Sequence, residues 1–137
     1  MKSVFYYDTD IGRIGIAEDG NFITNVFFEN EELEDIKINE TPLIKEAHKQ
    51  IEEYLRGERK SFDLPISASG TEFQQRVWNA LKTIPYGKTV SYKDIAIAIG
   101  NEKSCRAVGM ANNRNPISII IPCHRVIGKN GKMVGYG

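Results

Sequence analysis

Ser91-Tyr92-Lys93-Asp94-Ile95-Ala96-Ile97-Ala98-Ile99-Gly100, followed at once by Asn101-Glu102-Lys103-Ser104-Cys105-Arg106-Ala107-Val108-Gly109-Met110-Ala111-Asn112, is the stretch on which the fold turns. Ser91 precedes Asp94 by three residues, the spacing at which each side chain bonds the other's backbone N–H and starts a helix. That helix carries Ile95, Ala96, Ala98 and Ile99 and stops at Gly100, a residue suited to ending one. A second helix is predicted from about Lys103 to Asn112. Two short helices joined by a tight glycine turn form a helix-turn-helix, in which the start of the second helix, here Ser104, Cys105 and Arg106, meets nucleic acid. A plain three-helix packing unit satisfies the same pattern.

Upstream, Thr71-Glu72-Phe73-Gln74 is a capping box. Its helix places Phe73, Val77, Trp78, Leu81 and Ile84 on one face and stops at Pro85-Tyr86-Gly87. Downstream lies Ile119-Ile120-Ile121-Pro122-Cys123-His124-Arg125-Val126-Ile127, an apolar run broken by one polar bend. Pro122 lacks a backbone donor and biases Ile121 to extended geometry, so regular structure breaks here. A thiol beside an imidazole and a guanidinium is drawn towards the nucleophilic thiolate. The same residue types also describe an inert buried cysteine in a core turn, the commoner state of a free cysteine. Beyond it, Gly128-Lys129-Asn130-Gly131-Lys132 reads as a hairpin turn.

The first half is patterned differently. Three antiparallel strands are predicted over residues 3–8, 12–18 and 22–28, with turns at Asp8-Thr9-Asp10 and Asp19-Gly20-Asn21. Glu29 to Asp35 reads as an acidic solvated loop. Thr41-Pro42 fits the cap and first position of a helix, which carries Leu43, Ile44, Ala47, Ile51, Tyr54 and Leu55 on one face and ends at Gly57. His48 falls at the edge of that stripe, as a surface residue rather than a ligand. Ser61 to Pro65 reads as a linking strand or the start of a linker.

The chain has 137 residues and zero formal net charge, which conceals an asymmetry. Residues 1–65 carry 8 Lys/Arg against 15 Asp/Glu, a balance of −7; residues 66–137 carry 10 against 3, a balance of +7. The basic half calls for an anionic partner, nucleic acid first, although docking of the two halves on each other would also use it. No apolar run reaches membrane-spanning length, and Met1-Lys2-Ser3-Val4-Phe5 is not a signal peptide. Cys105 and Cys123 match neither a disulfide framework nor a zinc spacing, which points to a reducing, intracellular setting.

Taken together, the chain resembles the O6-alkylguanine-DNA alkyltransferases, the methylated-DNA–protein-cysteine methyltransferases. The resemblance rests on Gly70-Thr71-Glu72-Phe73-Gln74-Gln75-Arg76-Val77-Trp78, Ile84-Pro85-Tyr86-Gly87-Lys88-Thr89-Val90-Ser91-Tyr92, Cys105-Arg106-Ala107-Val108-Gly109, Asn115-Pro116 and Ile121-Pro122-Cys123-His124-Arg125-Val126. It covers essentially the whole chain and is strongest over residues 70–137.

The resemblance implies an α+β fold: a ribonuclease-H-like small antiparallel sheet with one helix over residues 1–65, and a winged helix-turn-helix-like domain over 66–137. It implies single-turnover repair, an alkyl group passing irreversibly from O6 of guanine to a cysteine. Cys123 would be the acceptor, His124 its base through a bridging water, and Tyr92 the proton donor to the leaving guanine. The nucleotide must be flipped out of the stack to be reached. Arg106 would fill the gap from the minor groove, with Ala107, Gly109, Ala111 and Ser91 at the DNA surface. Asn115 would brace the active-site turn, Arg125 would stabilise the cysteine loop, and the backbone near Val126 would meet the base. The implied partner is double-stranded DNA containing O6-alkylguanine, bound with little sequence preference by a monomer. No cofactor, metal or membrane is implied, and the setting is cytoplasmic, nucleoid-associated in a prokaryote.

Two departures stand out. The family pattern runs on into a C-terminal helix whose Glu bonds the histidine; the sequence ends at Gly137, so a more weakly activated thiol is expected. Ser118 falls where the family varies, leaving alkyl-group size and O4-alkylthymine acceptance open. The rival readings are a non-catalytic binder of alkylated DNA, against which Cys123 argues and for which the missing Glu argues, and a transcription regulator, which leaves Pro122-Cys123-His124 without a purpose.

Overall fold

A computed structural model describes residues 1–28 and 31–128 of the chain. The backbone divides into two compact units, Met1–Ala68 and a second beginning at Ser69.

In the first unit, strands β1 (Lys2–Thr9), β2 (Gly12–Glu18) and β3 (Ile23–Phe28) form an antiparallel meander, with Ser3 opposite Glu18 and Ile14 opposite Phe28. The turn into β3 is built by Asp19, whose Oδ1 accepts from the N–H groups of Asn21 (3.0 Å) and Phe22 (2.9 Å), while Gly20 takes φ +108°. These two bonds hold the Asp19 carboxyl below its ordinary pKa. The sheet is not purely antiparallel. A short strand β4 (Ile36–Ile38) pairs parallel to β1, giving the order β3-β2-β1-β4. The acidic stretch before it therefore leads into a strand that three residues are too few to announce. Helix α1 (Pro42–Leu55) starts as predicted, with Thr41 Oγ1 accepting from Ile44 N–H at 3.2 Å, and buries Ile44, Ala47 and Ile51.

Gln50, also buried on α1, carries a polar link that periodicity could not show. Its amide donates to Asp63 O (3.1 Å) and accepts from Asp63 N–H (2.9 Å), fixing the segment after the helix. That segment then lies along β3, with Ile23 N–H donating to Pro65 O (2.8 Å) and Ser67 N–H to Ile23 O (2.9 Å). His48 stacks on the Tyr7 ring, with centroids 3.7 Å apart.

The second unit packs three helices, α2 (Glu72–Leu81), α3 (Tyr92–Ala98) and α4 (Cys105–Asn113), and a two-strand parallel pair, β5 (Val90–Ser91) with β6 (Val126–Ile127). Both predicted capping boxes form: Thr71 with Gln74, and Ser91 with Asp94. Their signal is local, three residues apart, which is why the sequence carries it. Trp78 of α2 is almost fully buried, and its indole N–H donates to Ala111 O on α4 at 2.8 Å. At about 25 cal/mol/Å² over the 150–250 Å² an aromatic buries, that side chain contributes roughly 4–6 kcal/mol. Arg76 reaches across to donate to Ile99 O at the end of α3. Gly100, at φ +78°, makes the turn between α3 and α4 that defines the helix-turn-helix. Among the described residues no helix is long and apolar enough to cross a membrane. The hairpin turn expected at Gly128–Lys132 and the residues after it lie, apart from Gly128, outside the described residues.

Candidate active site

The polar bend is made by two three-residue turns in succession. Ile120 N–H donates to Ser118 O at 2.8 Å across Ile119, which is held at φ +73°. A β-branched residue avoids that region, and holding one there costs on the order of 1–3 kcal/mol unless its surroundings enforce it. Ile119 is itself buried, as are Ile117 and Ile121 on either side of it in the chain. The second turn is centred on Pro122 (φ −81°, ψ 65°), with Cys123 N–H donating to Ile121 O at 2.8 Å. Pro122 is suited to it because its ring fixes φ near this value. Cys123 then begins a short 3₁₀ turn, Cys123–Arg125, with only 1% of its surface exposed.

Two side chains fasten this bend. Asn115 Nδ2 donates to Ile121 O (2.8 Å), and its Oδ1 accepts from Ile117 N–H (3.0 Å), closing the loop from below. Arg125 Nη1 donates to Ile84 O at 2.7 Å, and its guanidinium lies 5.8 Å from the Tyr86 ring centroid. Arg125 thus ties the turn after Cys123 to the end of α2, an arrangement 41 residues apart in sequence.

Tyr92 arrives by a different route. β5 pairs parallel to β6, Val90 opposite Val126, so the residue that follows β5 is delivered beside the residues that follow Cys123. The Tyr92 phenol is pushed above its ordinary pKa, first by burial and then by the charge of Cys123. It is therefore protonated and able to donate at neutral pH. His124 is pushed the other way, down to about 4, by burial and then by the neighbouring Arg125. At neutral pH its imidazole is uncharged and able to accept a proton.

Helix α4 presents its residues less simply than expected. Arg106, Ala107, Met110, Asn113 and Arg114 are exposed, whereas Val108, Ala111 and Asn112 are buried. Ala111 is therefore removed from the predicted DNA surface: it packs inward, and its carbonyl takes the Trp78 indole. Residues two apart on a helix point about 200° from each other, so 107, 109 and 111 do not form one open stripe. Gly109 is half-buried, and a Cβ there would lie 3.6 Å from Tyr92 Cζ, which sets its backbone against the Tyr92 ring. Ser91 is also half-buried, its hydroxyl accepting from Asp94 N–H at 3.0 Å as the cap of α3. Ser104 makes no side-chain cap for α4, which starts at Cys105. Among the described residues no group of three His, Cys, Asp or Glu side chains could hold a metal ion.

Comparison with known proteins follows the two halves. Residues 4–68 match the ribonuclease-like domain of 6-O-methylguanine DNA methyltransferase, and residues 72–137 match its DNA-binding domain. The constitutive methylated-DNA–protein-cysteine methyltransferase of Bacillus subtilis is 50% identical over 136 residues, covering 94% of this chain and 82% of that protein. The chain belongs to this methyltransferase family. The methylated-DNA–protein-cysteine methyltransferase of Methanosarcina acetivorans is 51% identical over 134 residues, covering 95% of this chain and 86% of its own length. Among solved structures, Mycobacterium tuberculosis OGT in complex with DNA superposes with a TM-score of 0.91 at 44% identity, covering 98% of this chain and 84% of that one. Membership of the methyltransferase family gives the α+β fold described above, with its helix-turn-helix half.

Proposed function

We propose that this chain repairs DNA by direct reversal, taking an alkyl group from O6 of guanine onto Cys123 in one irreversible step. The observation that carries the reading is a buried cysteine on a turn fixed at both ends, with Tyr92 delivered beside the segment that follows it by the β5–β6 pairing.

Cys123 Sγ attacks the alkyl carbon as its bond to O6 breaks. The thiol proton passes to the neutral His124, and Tyr92 donates to the leaving guanine, which ends as the ordinary keto base. His124 then gives up its proton and Tyr92 regains one, so that overall one proton leaves the thiol and one reaches the guanine, and no co-reactant is needed. Burial of Cys123 suits the step, since a nucleophile shielded from water is poised for a carbon presented to it at close range. The thioether so formed has no route back, which makes the protein its own spent reagent.

The partner is double-stranded DNA carrying O6-alkylguanine, with the nucleotide flipped to reach Cys123. The exposed face of α4 offers Arg106 for the gap in the stack, with Ala107 allowing close approach and Arg114 available to a phosphate. Such a face reads shape rather than sequence, so the chain acts as a monomer on any sequence context. Repair of an O6-methylguanine duplex, followed as loss of the modified base, tests the roles. Cys123→Ser is expected to abolish repair, Tyr92→Phe to slow it, and Arg106→Ala to weaken it most on fully paired duplex. Equal repair by Cys123→Ser would overturn the assignment.

A further inference from the structure

Among the described residues of the second unit, Asn112 is the one buried polar side chain that serves no described purpose. It is completely buried (0% exposed) on α4, and neither its Oδ1 nor its Nδ2 has a hydrogen-bond partner among the described residues. Buried amides almost always find partners, and one left unpaired destabilises the fold relative to an apolar residue of similar shape. An unpaired amide at this position makes sense when its partner arrives with a ligand.

The helix says which way that ligand comes. Asn112 lies three residues beyond Gly109, whose backbone abuts the Tyr92 ring, in the last turn of α4, and the chain leaves the helix just after it on the way to Asn115, which holds the bend under Cys123. Residues three apart are neighbours on one helix face. Asn112 therefore sits on the side of α4 turned to Tyr92 and the cysteine bend, opposite the exposed face of Arg106, Ala107 and Met110.

Resting on the transfer reading above, we infer that Asn112 is a specificity-determining residue whose amide is completed by the edge of the flipped base. The chemistry matches at a particular edge. O6-alkylation removes the N1 proton of guanine, leaving an acceptor at N1 next to the N2 amino donor. A primary amide supplies the complementary donor and acceptor side by side. Unmodified guanine presents two donors there, so one amide hydrogen meets a donor instead of an acceptor. Asn112 thus favours the alkylated base over its repaired product, and the repaired base is released.

Single-turnover kinetics on an O6-methylguanine duplex, with thermal unfolding in parallel, test this with Asn112→Leu and Asn112→Ala. Leu keeps the branched shape without polar atoms; Ala removes the side chain without adding volume. Both are expected to react about 10- to 100-fold more slowly at limiting DNA, the discrimination of a bidentate contact. At least one should unfold at or above the wild-type temperature. On a duplex carrying O6-methylhypoxanthine, which lacks the N2 amino group, the gap between wild type and the variants should shrink. Equal rates for wild type and both variants on O6-methylguanine would overturn the inference alone. So would a slowing accompanied by lower unfolding temperatures in both variants, which marks a packing role. A wild type that gains no methyl group would overturn the transfer reading and this inference together.

Discussion

Asn115→Ala isolates what holds the cysteine bend. The substitution deletes the 2.8 Å bond to Ile121 O and the 3.0 Å bond from Ile117 N–H. Both partners belong to residues with no exposed surface, so water does not replace what is lost. Each orphaned backbone group costs about 1–3 kcal/mol, giving roughly 2–6 kcal/mol together. The bend already contains Ile119 at φ +73°, a conformation that persists only while its surroundings enforce it, so its release adds to the loss of order. For a chain of this size, about 4 °C per kcal/mol converts this to a fall in Tm of roughly 8–24 °C. Alkyl transfer should fall by more than the folded fraction accounts for, because displacement at carbon is sensitive to displacements of the sulfur on the order of 1 Å. Thermal unfolding and single-turnover transfer, both measured well below the variant's Tm, check this. A Tm within about 2 °C of wild type, or a transfer rate unchanged at full folding, would show that the bend does not depend on Asn115.

Three further outcomes follow from the same geometry. Gly70→Ala should lower stability by about 1–3 kcal/mol in urea unfolding, because the added Cβ would fall 2.5 Å from the Trp78 ring and 2.6 Å from Gln74 Oε1, forcing the buried indole or the capping box to move. Acid should weaken the fold through His124: its folded pKa, about 4, lies below the ordinary 6.5, so the unfolded chain binds the proton first. The contribution of the neutral imidazole is complete above pH 6.5 and is lost as pH falls towards 4, by about 1–3 kcal/mol once screening at the partly exposed ring is allowed for. His124→Gln should flatten that part of the stability–pH curve. Arg125→Met should leave Ile84 O without its charged donor and cost about 2–3 kcal/mol by denaturant titration, whereas Arg125→Lys should recover only part of it, because a point charge does not reproduce the planar fork.

The features that the sequence carried openly were those whose partners lie close along the chain. Thr41 and Ile44, Thr71 and Gln74, and Ser91 and Asp94 are each three residues apart, and the glycines that end α1 and α3 follow their helices directly. Long-range pairings left no such mark. β4 has three residues and finds β1 by parallel pairing from more than thirty positions away. Ile119 reads as a strand former and adopts a backbone angle that propensity argues against, inside a buried turn closed by the Ile120 N–H bond to Ser118 O. In the site, the order Pro122-Cys123-His124-Arg125 was legible, but the acceptor of Arg125 at Ile84 was not. The resemblance implied Ala111 at the DNA surface, whereas the helix turns it inward. Asn112 carries no signal in the sequence beyond its place near a helix end; its burial and its unpaired amide are features of the structure.

The central claim is that Cys123 takes the alkyl group and keeps it. Intact-protein mass after incubation with excess O6-methylguanine duplex, with the modified peptide then located, tests it most directly. The account predicts a gain of one methyl group per chain, carried on Cys123, that does not rise further however large the excess of DNA. An unchanged mass, a methyl group on another residue, or repair of more DNA than there are protein chains would contradict it.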